Sequence, residues 1–201
     1  MVDVLTIQEN LNKYFTITGP THIHPETGVV DVSGSVELIK VTRQLPVQFG
    51  KVTQNFSCSE ARLERLVGSP HTVGEEFMCN KNYLTTLEGG PNWVGGSYWC
   101  EENQLSNLVG APRHVGTGLL AHDNLFQSLE GMPEHIGTTI WIQYHFNLPL
   151  LRLLMVKNHM LIYASDELRH ILNKYKGQGK PGAIKAAAEL IKAGFKDNAR
   201  W

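Results

Sequence analysis

A chain of 201 residues, 42% hydrophobic and 18% charged, is long enough to bury one sizeable core and too apolar to stay disordered. Its formal net charge of −1 excludes a global basic field that would draw nucleic acid or an anionic membrane. No apolar run reaches the roughly 18 residues of a membrane span, no basic-then-apolar leader opens the chain, and three cysteines close no disulfide framework, so a reducing cytosol is expected.

At the N-terminus, "TIQENLNKYF" sets Thr6 and Glu9 at capping-box spacing, which predicts a helix with Leu11 and Phe15 on one face. "FTIT" and "TGVVDVSGSVEL" read as strands, with the turn-rich "GPTHIHPETG" between them. His22 and His24 alternate by two, but no third ligand lies in the segment, so they read as surface histidines rather than a metal site. Val36 to Val52 reads as a degenerate first coil, in which Leu45 and Pro46 loosely match the end of the unit that follows.

From Val52 the chain repeats every 21 residues without insertion. Val52, Val73, Val94, Val115 and Ile136 form one column; Phe56, Phe77, Tyr98, Leu119 and Ile140 form a second. Cys58, Cys79, Cys100, Ala121 and Ile142 are the third, and Asn82, Asn103 and Asn124 a fourth, bounded by Ala61 and His145. Leucine, glycine and proline columns complete a unit reading V-G-x-x-F-x-C-x-x-N-x-L-x-x-L-x-G-x-P. The alternation in F-x-C predicts a short strand, and no segment of the unit is long enough for a helix. One unit cannot bury its apolar side alone, so the coils must stack, turning each column into a ladder. The fold expected is an α+β, right-handed solenoid with a parallel sheet on one face and irregular turns on the other. In it the three cysteines are reduced core residues, and the asparagines turn inward to satisfy backbone groups.

At the far end of the repeats Asn147, Arg152 and Leu154 break the columns, and "LRLLMVKNHMLIYA" is open to both a helix and a strand reading. Ser165 caps "DELRHILNKY", and Pro181 starts "PGAIKAAAELIKA", which Gly194 ends. The whole of 1–201 is therefore one domain: a cap with the degenerate coil over 1–51, repeats over 52–150, and a helical cap over 151–201. "GQGKPG" puts Lys180 before a helix start but lacks the phosphate-loop pattern, so it reads as a helix–helix turn. His159 has no acidic or nucleophilic neighbour in sequence, and Lys185, Lys192, Lys196 and Arg200 read as a solvated face.

The unit resembles leucine-rich repeats, with F-x-C in the place of L-x-L and the asparagine in its usual position. The spacing in "LEGxPxxVGGxFxC" resembles more narrowly the leucine-rich-repeat-like proteins encoded by bacteriophages. "TGVVDVSGSVEL" with "LPVQFGKV" is similar to their strand-rich lead-in, and "NKYKGQGKPGAIKAAAELIKAGFKDNARW" to their helical tail. That resemblance implies a protein acting in the cytoplasm of a bacterial host. It implies no settled activity, and no catalytic residue is carried over.

If Phe56, Cys58 and their counterparts point inward, the residues between them point out. The outward row is then Ser57, Met78, Trp99, Leu120 and Trp141, beside a polar row of Ser59, Asn80, Glu101, His122 and Gln143. An apolar, aromatic centre with a polar rim has the anatomy of a protein-binding patch. Met78, Trp99, Glu101, Leu120, His122, Trp141 and Gln143 are accordingly the candidate partner-binding residues. The expected function is non-enzymatic: binding a host protein and blocking or redirecting it, in host takeover or suppression of a defence system. A structural role in a virion is the alternative. An enzyme with chemistry around His22, His24, Lys180 or His159 lacks a convergent acid and base. No metal, cofactor, membrane or nucleic acid is expected.

Overall fold

Stacking identical short units requires that their backbones lie at hydrogen-bonding distance, and that requirement sets the shape of each coil. The computed structural model, which describes residues 2–156 and 158–201, is a parallel β-solenoid of about six turns with helices at both ends. The first of its two sheets has eight strands. Phe56–Ser57, Phe77–Met78, Tyr98–Trp99, Leu119–Leu120 and Thr139–Gln143 follow one another in it, each parallel to the next. Phe56 lies opposite Phe77 and Tyr98 opposite Leu119, the register demanded by the 21-residue period.

The face expected to carry only irregular turns carries a second sheet, of seven strands, in which the strands from Val30–Val32 onward run parallel through the valine column. Thr72–Val73, Trp93–Val94, His114–Val115 and His135–Ile136 pair there in succession. The glycine after each valine extends the ladder: Gly95 donates to the Val73 carbonyl at 3.0 Å and Gly116 to that of Val94 at 2.9 Å. A Cβ at Gly116 would overlap the Gly95 carbonyl, so this position must be bare for the coils to close up. The irregular side of the coil is the stretch from the asparagine to the proline, where Gly110 bends the chain at φ 88°.

Between the sheets the columns behave as ladders. Phe56 stacks on Phe77 at 5.5 Å and Phe77 on Tyr98 at 5.2 Å, and all three are fully buried. Cys58, Cys79 and Cys100 are buried and free, and burial pushes each thiol well above its usual range. Asn82 donates to the Cys58 and Cys79 carbonyls and accepts from the Ala61 and Leu63 N–H groups. Asn103 and Asn124 repeat the two carbonyl contacts and the leucine N–H contact one and two coils on.

The caps depart from expectation in detail. Helix α1 spans Val4–Tyr14 and is capped by Asp3, whose carboxylate accepts from the Thr6 N–H at 3.2 Å; Thr6 lies inside the helix. A carboxylate at this end also meets the positive pole of the helix, which a threonine cap does not exploit. Phe15 is buried, but in a strand (Phe15–Ile17) that runs antiparallel to Val36–Leu38. Thr21–Ile23, expected as turn, pairs antiparallel with Val30–Val32. Because Val30–Val32 and Val36–Leu38 already join the two sheets, the first coil begins at Val30 rather than Val36. At the other end the ambiguous stretch contains both a 3-10 helix, Leu151–Met155, and a strand, Asn158–Ile162; Lys157 lies outside the described residues. Helix α2 (Asp166–Tyr175) is capped by Ser165, and α3 (Gly179–Lys192) begins two residues ahead of Pro181. Together they bury Leu168, Ile171, Leu172, Ala183, Ala186 and Leu190 over the last coil. Among the described residues no helix is long and apolar enough to cross a membrane.

Candidate functional site

In the first sheet Tyr98 and Cys100 point into the core, so the side chains between and beside them point out. Strand register places Ser57, Met78, Trp99, Leu120 and Trp141 in one outward row. The row continues further than expected, because Trp141 lies opposite Met160 of the terminal strand. Trp141 is 38% and Met160 46% exposed, while Met78, Trp99 and Leu120 are half-buried by their neighbours along the row. At the usual strand spacing of about 4.8 Å, the two tryptophans stand about 10 Å apart with Leu120 between them.

The polar flank is less uniform than a solvated rim. His122 and Gln143 are half-buried, as expected of a rim, but Glu101 retains only 6% exposure. Its Oε2 atom has no hydrogen-bond partner among the described residues, and neither does the buried indole Nε1 of Trp99. Burial holds the Glu101 carboxyl above the usual carboxylate range; the charges of His122 and Lys81 pull it down, and that of Glu102 up. His122 is itself held by Asp123, Nδ1 to Oδ2 at 2.8 Å. Beyond this flank each coil turns through a left-handed residue: Glu60, Lys81, Glu102 and Asp123 all have φ between 53° and 58°. Their side chains form a charged row, in which Lys81 pairs with Glu60 at 3.1 Å.

The second sheet has an outward row of its own, which sequence reasoning missed by assigning that side to turns. Trp93, His114 and His135 stack nearly parallel, with ring centroids 5.4 and 4.6 Å apart. The signal was present one residue before each valine of the repeat. Met160 was missed for a different reason, since it follows Trp141 after 19 residues and falls outside the period.

The remaining candidates do not converge. His22 lies on the strand Thr21–Ile23 at one end of the second sheet and His24 just past it, their ring centroids 4.7 Å apart, and His24 binds Asp31 at 2.9 Å. Lys180 lies exposed in the first turn of α3. His159 sits in the terminal strand with both ring nitrogens buried and, among the described residues, without a side-chain hydrogen-bond partner; burial, aided by Lys176, pushes its pKa down to about 4. Among the described residues no group of three histidine, cysteine or acidic side chains is placed to hold a metal ion. Compared with protein-family models, curated proteins and solved structures, the chain finds no match.

Proposed function

We propose that this chain is a leucine-rich-repeat-like recognition module of bacteriophage type, which binds a bacterial host protein in the host cytoplasm and blocks or redirects it. The observation that carries the reading is the continuous apolar row Met78, Trp99, Leu120, Trp141 and Met160 on the outer face of the first sheet, flanked by polar residues. A solvated sheet face is ordinarily polar, and aromatic side chains at the centre of a desolvated patch carry most of the energy of typical interfaces. The leucine-rich-repeat type is supported by the asparagine ladder, and the phage setting by the resemblance of lead-in, repeat and tail. Steric occlusion through the tryptophan row is the mechanism, and host takeover or suppression of a defence system the outcome.

The test is capture of a host protein on the purified chain, followed by affinity measurements with Trp99→Ala/Trp141→Ala. The double variant should lose more than about 2 kcal/mol of binding per tryptophan while its melting curve stays near that of the parent. Undiminished affinity in a folded double variant removes this face as the site.

A further inference from the structure

The chain as a whole is almost neutral, but the face that carries the tryptophan row is not. Glu76, Glu101, Glu102 and Asp123 border it, and Lys81, the lysine of these columns, is already held by Glu60 at 3.1 Å. Asp123 has His122 as its partner. Glu101 differs from the other carboxylates of this face in its burial: it is 6% exposed beside the row, with one carboxylate oxygen lacking any donor among the described residues. A buried carboxylate oxygen without a donor is costly for a fold to retain. Beside it the Trp99 indole N–H also lacks an acceptor among the described residues. An orphaned donor and an orphaned acceptor on the same outward face, next to an apolar row, specify what must approach them.

We infer that the partner presents an arginine or lysine side chain whose cation seats against the Glu101 carboxylate, while a backbone carbonyl of the same segment accepts from the Trp99 indole. This rests on the reading of the tryptophan row as the docking face and adds the chemistry of what docks. A cation is a donor-only group and meets the need of Glu101; its stem lies along Trp99 and Trp141, where ring faces favour positive charge. The route in passes His122, which stands one coil from Glu101 and leaves 22% of its side chain in solvent. The surrounding carboxylates steer a basic surface toward this face and repel an acidic one. Nucleic acid is thereby disfavoured as the occupant.

The probe is a random linear peptide library, selected on the full chain and counter-selected on Trp141→Ala. Peptides that depend on Trp141 should share one basic position, and replacing that residue by citrulline or norleucine should weaken them about thirtyfold or more. Glu101→Gln keeps the shape of the side chain and should cause the same loss, with no further loss when both changes are combined. Trp141-dependent peptides that lack a basic residue and bind Glu101→Gln undiminished overturn the inference and leave the docking face standing. A selection that yields no Trp141-dependent peptide overturns both.

Discussion

Asn103 donates its amide to the carbonyl of Cys79, one coil back, at 3.1 Å, and so ties two turns of the solenoid through a side chain. The same amide reaches Cys100 at 3.2 Å, and its oxygen accepts from Leu84 at 3.1 Å, all within the buried core. Each coil leaves the first sheet at a corner where the backbone no longer pairs with itself, and the asparagine supplies what the sheet stops supplying.

Asn103→Ala strands two carbonyls and one N–H in that corner, and should cost about 3 kcal/mol in a denaturant melt. Asn124, only half-buried, should cost less on the same substitution. Equal and small losses at both positions would show that water replaces the amide freely.

The cysteine ladder predicts chemistry as well as packing. A thiol with no exposure and a raised pKa offers no thiolate to a reagent. In native conditions none of the three should react with a thiol-directed dye on the timescale of minutes, and all three should react on unfolding. Cys79→Ala should destabilise by about 1–2 kcal/mol through lost packing, with no change in metal content. Fast labelling of Cys79 in the folded chain would contradict its place in the ladder.

Acid should loosen the C-terminal end. His159 is held at about 4 in the fold against a usual 6.5, so the unfolded chain takes up a proton first as pH falls. Its neutral, buried form therefore supports the full stability above pH 6.5, and about 3 kcal/mol is lost as pH falls toward 4. Glu101 acts in the opposite sense: with its pKa raised, the fold binds the proton more tightly, and stability declines as pH rises above 4.5. Denaturant melts between pH 4 and 7 separate the two. His159→Leu should flatten the acid-sensitive part, and Glu101→Gln should remove the decline on the rising side.

Arg169 guards an edge. Its Nε and Nη2 donate to the Leu161 carbonyl at 3.3 and 3.1 Å, and its Nη1 reaches Asp166 at 3.1 Å. The Leu161 carbonyl lies on the open side of the terminal strand, beside a cavity of about 510 Å³ between that strand and α2. An unpaired strand edge is a template for another chain. Arg169→Ala should uncover it and produce concentration-dependent self-association in sedimentation velocity, with the monomer restored by Arg169→Lys in part only, since lysine cannot donate twice in one plane. A variant that stays monomeric at high concentration would place the guard elsewhere.

The period settles a great deal before any folding is considered. Once Phe56, Phe77 and Tyr98 recur at 21 residues and alternate with Cys58, Cys79 and Cys100, stacking is the one arrangement that buries them all, and the opposite parity of Met78, Trp99, Leu120 and Trp141 follows from the pleat. The inward asparagines follow too, because a polar column between apolar ones must find backbone partners. Four features are decided by contacts that the repeat pattern does not mark. The strands of the second sheet are two residues long, so Val73 and Val94 show no alternation to mark them, and backbone pairing alone makes them strands. Met160 joins the tryptophan row only because the chain returns after the Leu151–Met155 helix to pair with Thr139–Gln143. Asp3 displaces Thr6 as helix cap through the reach of its carboxylate to the Thr6 N–H. Glu101, polar by type and outward by parity, is nonetheless buried, because exposure on a crowded sheet face is a property of neighbours in space and not of the strand that carries the residue.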